Sequence, residues 1–152
     1  MNLTQVFKKV FLRIKRIPRY ILVKRYGLKP FHLSISDDKP YVKPIIDHLN
    51  SREKRRSVLE IGVGLGDILF ELDFDQLTGL DHKQDVLDAL KSRSYAKGLK
   101  HKLHISKFKF TLDKVNGRYD AIILINWPQQ FDSILFRQEV QKIYFENLNK
   151  GG

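Results

Sequence analysis

The stretch VLEIGVGLGDIL, Val58 to Leu69, decides the fold. An apolar strand ends on an acidic residue, Glu60, and passes at once into a turn with glycines at every second position, Gly62, Gly64 and Gly66. A buried parallel strand feeding such a turn is how an open α/β sheet presents its first ligand-binding loop, because glycine lets a ligand lie against bare backbone. A dinucleotide fold wants G-x-G-x-x-G, which would place its third glycine where Asp67 stands. Here the third glycine falls one residue early.

Downstream, LTGL (Leu77 to Leu80) is a short apolar run ending at Asp81, followed by a helical pattern of Val86, Leu87 and Leu90. Asp81 lies 21 residues beyond Glu60. That is the βαβ distance at which a carboxylate at the tip of a second strand can accept hydrogen bonds from a ribose. In a doubly wound sheet the carboxyl ends of neighbouring strands share one crevice, so Glu60, the glycine loop and Asp81 are expected to converge.

The 152 residues suffice for one core, and 42% hydrophobic with 30% charged residues is a globular composition. The absence of cysteine excludes disulfides, thiolate metal sites and cysteine nucleophiles. No run approaches the roughly 18 apolar residues of a spanning helix and no signal-peptide core is evident, so a cytoplasmic location is expected. Charge is uneven: residues 1–30 hold nine Lys or Arg and no acid, against a net +11 for the whole chain. Within this arm Val6, Phe7, Val10, Phe11, Ile14 and Ile17 recur at helical spacing, and Pro18 interrupts or restarts the helix. The pattern fits a peripheral contact with an anionic inner-membrane surface through residues 1–25, a helix docked on the domain, or a phosphate-backbone contact. Nucleic acid is disfavoured, since no aromatic platform or helix-turn-helix motif is present.

The order of elements predicts a basic amphipathic arm (1–30) and an α/β domain (31–152) with a doubly wound, mostly parallel sheet. After a loop from Pro30 to Pro40 come a helix at Tyr41–Leu49, a strand at Ser57–Ile61, a short helix at Asp67–Leu72, and a strand at Leu77–Leu80. A helix at Lys83–Arg93 and a polar, edge-type strand at Leu99–Ile105 follow. YDAIILI, Tyr119 to Ile125, reads as a buried strand ended by Asn126-Trp127-Pro128, and 133–148 as a helix packing through Ile134, Leu135, Val140, Ile143, Tyr144 and Leu148. No fifth strand remains to cover Tyr119–Ile125, so the chain is expected to be a fragment, or to be completed by its arm or by an oligomeric partner.

These motifs resemble the class I S-adenosylmethionine-dependent methyltransferases. The family's acidic residue followed by G-x-G-x-G is met by Glu60, Gly62, Gly64 and Gly66, its strand-two acid by Asp81, and its strand-four segment with active-site loop by YDAIILINWPQQ. Lys150-Gly151-Gly152 matches the family's Gly-Gly before strand five. PFHLSISDDKPYVKPI together with EIGVGLGDIL is also similar to small bacterial methyltransferases found with surface-polysaccharide genes. The resemblance, from about Tyr41 to Gly152, implies a Rossmann-like methyltransferase fold lacking its C-terminal strands, with S-adenosylmethionine as cofactor. It also implies that Glu60 and the glycines meet the methionine portion, that Asp81 takes the ribose hydroxyls, that Asn126 directs an acceptor or holds the methionine end, and that Trp127 stacks on the adenine or on a sugar. One departure is that no acid stands in His104-Ile105-Ser106-Lys107, where many members contact the adenine amine.

The expected activity is methyl transfer to a small-molecule or carbohydrate acceptor, with no metal. The alternative is an inactive or truncated cofactor-fold module acting as a membrane-adjacent interaction protein; an NAD enzyme is a distant third. No general base is assignable: His82, His101 and His104 are candidates by chemistry alone, and His32 and Asp37 fit either a lid or a plain surface loop. His101 and His104 are three apart in a strand-like run, a spacing that points them to opposite faces.

Overall fold

The computed structural model describes residue 14 and residues 16–125 and 131–151. Among the described residues four α-helices, α1 (residues 16–25), α2 (Val42–Asn50), α3 (Gln84–Ala96) and α4 (Ser133–Asn147), accompany four strands, β1 (Ser57–Ile61), β2 (Gln76–Asp81), β3 (Leu103–Lys107) and β4 (Ala121–Leu124). The strands form one sheet in the order β3-β2-β1-β4, and every pairing is parallel. This is the α/β architecture expected from the sequence, and β3 takes an edge as its polar content predicted. Among the described residues no helix is long and apolar enough to cross a membrane.

Strand alternation assigns β1 side chains to two separate cores. Val58 joins Val42 and Leu49 of α2, Leu87 and Leu90 of α3, and the loop residues Val63, Leu69 and Phe74. Leu59 and Ile61 face the other way, toward Leu80, Phe108, Phe110, Val115 and Ile143 of α4. Helices therefore cover both faces of the sheet, which is why β1 and β2 are buried along almost their whole length. The arm makes a third cluster: Val23 and Leu28 pack on Leu65 of the glycine loop and on Val86 and Ala89 of α3.

Three local expectations are corrected. The helix expected at Asp67–Leu72 is only a single 3-10 turn, Leu69–Glu71. The N–H groups of Asp75 and Gln76 already donate to Arg55 and Arg56 carbonyls, so β2 begins too soon for a longer helix. The strand expected from Leu99 is instead a turn whose Leu103 N–H returns to the Leu99 carbonyl, and β3 starts at Leu103. In α4 the inward stripe is Phe136, Val140, Ile143 and Asn147, at helical spacing, whereas Ile134, Leu135 and Tyr144 are exposed. The buried Asn147 side chain donates to the Val115 and Gly117 carbonyls (3.1 and 2.8 Å), so a polar residue holds a position the apolar pattern could not show.

The start of β4 is tied on both sides. Asp120 Oδ2 accepts from the Arg56 and Ser57 N–H groups, and its Oδ1 accepts from the Asn149 side chain (2.8 Å). Tyr119 forms a parallel bridge with Leu148, in which the Asn149 N–H donates to the Tyr119 carbonyl (2.9 Å). These bonds make Asp120 a structural staple, placed at the opposite end of the strand from the glycine loop.

Candidate functional site

The glycine loop is latched to the end of β2 before any ligand is considered. Gly62 and Val63 N–H groups both donate to the Leu80 carbonyl (2.8 and 3.0 Å), and the Gly66 N–H closes back on Val63. The loop needs glycine for two different reasons. At Gly66 (φ +71°) an added Cβ would stand 2.9 Å from Leu90 Cδ1 and 3.1 Å from the Phe70 ring, so packing excludes a side chain. At Gly64 (φ +54°) an added Cβ would meet nothing within 4 Å, so the bare backbone faces open space.

That space is a cavity of about 910 Å³. It is lined by the loop from Glu60 to Leu65 and by Asp67, by Asp81, His82 and Lys83, and by Phe108, Lys109 and Phe110 beyond β3. Further walls come from Arg19, Lys29, Phe31, His32 and Lys39 of the N-terminal region. Asp81 Oδ2 accepts from the Gly64 N–H (3.2 Å) and Oδ1 from the Lys83 N–H (3.1 Å), so the carboxylate joins the glycine loop to the start of α3. The structure thus brings Glu60, Gly62, Gly64 and Asp81 together around one cavity, with Gly66 packed behind it. Asn126 and Trp127 lie outside the described residues.

Glu60 is fully buried, and burial pushes its carboxyl up to about 8, against the opposing hydrogen bond from the Leu69 N–H (3.2 Å). It is therefore a neutral acid at neutral pH. Asp67 behaves oppositely. Burial alone would raise it, but hydrogen bonds and charge from Arg19 and Lys39 prevail and hold it at about 2. Arg19 grips it with both guanidinium nitrogens (2.5 and 2.9 Å), Lys39 Nζ approaches to 2.7 Å and Arg93 to 3.1 Å. Arg93 also donates to the Leu65 carbonyl, and Arg19 Nε to the His32 carbonyl (2.6 Å).

This cationic ring is the part of the site that sequence reasoning missed. Asp67 appeared only as a substitute for a glycine, and its partners come from three distant segments. A signal was nonetheless present: an acid inside an apolar run must find a counter-charge if it is buried. His32 is half-buried at the cavity wall, and desolvation lowers its pKa below the ordinary histidine value. His104 is exposed on β3, while Phe108 and Phe110 are buried beyond its end. Among the described residues no group of three acidic or histidine side chains could hold a metal.

The same fold recurs in solved structures. The glycopeptide N-methyltransferase MtfA in complex with sinefungin superposes with a TM-score of 0.61 at 18% identity, over 74% of this chain and 46% of that one. A putative O-methyltransferase from Nostoc punctiforme gives a TM-score of 0.63 at 20% identity, over 72% of this chain and 33% of the other. A SAM-dependent methyltransferase from Thiobacillus denitrificans, in complex with S-adenosyl-L-homocysteine, gives 0.59 at 17%, over 75% and 46%. The chain has the class I methyltransferase fold. The chain spans a third to under half of those three proteins' lengths. No family model and no curated protein matches it by sequence.

Proposed function

We propose that the chain binds S-adenosylmethionine in the 910 Å³ cavity and takes part in methyl transfer to a small-molecule or carbohydrate acceptor. The observation that carries this reading is the Asp81–Gly64 contact beside open space. A carboxylate already oriented by two backbone N–H groups sits next to bare glycine backbone, which suits a ribose diol on one side and a close-lying chain on the other. Two of the three superposed structures contain sinefungin or S-adenosyl-L-homocysteine, which supports the choice of cofactor.

The residues present fit that group. Gly64 leaves room for its methionine portion, Asp81 accepts from its ribose hydroxyls, and Phe108 and Phe110 offer apolar walls to a flat base in place of the missing acid. Glu60 is the buried acid that meets the ammonium end, directly or through water. When bound, the cofactor would supply a methyl group already activated on sulfur. The protein's task is to align the two partners at contact distance and exclude water. Asn126, following β4 in sequence, would direct the acceptor or hold the methionine end, and Trp127 would stack on the adenine or on a sugar.

Isothermal titration of S-adenosylmethionine and its demethylated product tests the reading. Binding is expected, weakened at least about tenfold in Asp81→Ala, the loss anticipated when a charged hydrogen-bond acceptor is removed. Absence of binding by the complete natural protein overturns it.

A further inference from the structure

Helix α1 is docked the wrong way round for an ordinary amphipathic helix. Its inward face carries Arg19 and Val23, each 7% exposed, with Arg19 clamped on Asp67. Its outward face carries Ile14, Ile17, Tyr20 and Ile21, all between 52 and 58% exposed. Ile14, Ile17 and Ile21 recur at three- and four-residue steps, so they form one stripe on the side opposite Arg19. Lys24 continues the stripe, with its ammonium over the Tyr20 ring (5.8 Å), and Arg25 and Lys29 follow without an acid anywhere in residues 1–30. Arg16, one turn before Arg19 and on its side of the helix, is paired with Asp38 (2.6 Å).

We infer that this outward stripe is a docking face for an anionic lipid surface. Isoleucines insert among acyl chains, while Lys24, Arg25 and Lys29 reach the headgroups, their aliphatic stems lying along the interface. The charge pattern selects this occupant over the others. A second copy would bring two acid-free cationic faces together. A nucleic-acid backbone would be met by lysines and arginines at the centre of the face, where isoleucines stand. The domain itself is already engaged through the opposite side of the helix. Arg19 gives the arrangement its orientation: by fixing the inner face on Asp67 it keeps the apolar stripe outward. The arm then runs through Leu28 to Lys29 and the 64% exposed Phe31, both at the cavity wall, so the surface that meets lipid leads to the site.

Co-sedimentation of the full chain with vesicles of phosphatidylcholine alone, or mixed with phosphatidylglycerol, tests this without reference to turnover. Its outcome is therefore separate from the methyl-transfer reading. Binding to the mixed vesicles is expected, with loss at about 1 M salt, where screening shortens to about 3 Å. Ile17→Ser with Ile21→Ser should lower it at least about tenfold, and Lys24→Glu with Arg25→Glu about twentyfold or more. All four sites are exposed, so wild-type circular dichroism is expected of both variants. Equal binding to neutral and anionic vesicles, unchanged binding of the isoleucine variant, or retention of a nucleic-acid duplex but not of vesicles would each overturn the proposal.

Discussion

Arg19 and Asp67, 48 residues apart in sequence, meet as a two-pronged ion pair in which each side chain is only 8% exposed. The pair joins the N-terminal helix to the residue that ends the glycine loop. Lys39 and Arg93 complete the ring around the same carboxylate, so one acid organises four segments of the chain.

Removing that acid is expected to be costly. Asp67→Asn leaves Arg19 desolvated without its counter-charge, a loss of about 3–5 kcal/mol by analogy with other broken buried pairs. Urea unfolding should show a lower midpoint. The double replacement Arg19→Met with Asp67→Leu should recover only the part of the loss due to Arg19, since Arg93 and Lys39 still lose the shared carboxylate; additive losses would refute the coupling.

The glycines at 64 and 66 should fail in different assays. Gly66→Ala adds a methyl 2.9 Å from Leu90 at a left-handed φ, so thermal stability should fall by about 1–3 kcal/mol. Gly64→Ala meets no neighbour and carries only the backbone cost of about 1–2 kcal/mol. Its larger effect should appear as weakened S-adenosylmethionine binding in titration calorimetry. Equal effects of both variants in both assays would contradict the assignment of Gly64 to the ligand face.

Glu60 and Asp67 should give opposite pH dependences. Glu60 is raised from 4.5 to about 8, so its contribution is fully present below 4.5 and fades as pH rises through 8. Asp67 is lowered from 3.8 to about 2, so its contribution is present above 3.8 and is lost as pH falls toward 2. Glu60→Gln should therefore flatten the alkaline limb of a stability–pH profile while leaving the acid limb in place.

If the cofactor's ammonium lies near Glu60, binding should draw that carboxyl's pKa down. Titration near pH 7 in buffers of different ionisation enthalpy should then show net proton release, absent in Glu60→Gln. Buffer-independent heats in the wild type would place the ammonium elsewhere.

Much of the sheet was legible because it depends on local chemistry. VLEI had to be a buried strand, the alternate glycines had to turn, and LTGLD had to bring an acid alongside, since parallel strands align their carboxyl ends. β1 was read to the residue, and β3 was placed at an edge by its polar content. Gly79 was less obvious. Its Cβ position lies 3.1 Å from Val63, so the glycine exists to let the loop close over β2. Of the expected α4 packing face, Val140 and Ile143 point inward but Ile134, Leu135 and Tyr144 do not, because apolar spacing alone does not say which neighbours a helix will find.

The sequence by itself determined the fold class and the convergence of Glu60, Gly62, Gly64 and Asp81, because those follow from strand periodicity and from residues within one βαβ unit. Only the tertiary structure decided which way the basic arm faces. Its apolar spacing permitted docking through isoleucines, yet the buried contact is Arg19 on Asp67, and the isoleucines point outward. The reason is electrostatic: a carboxylate folded into the loop beneath the arm must be neutralised, and the guanidinium that does so fixes the rotation of the helix.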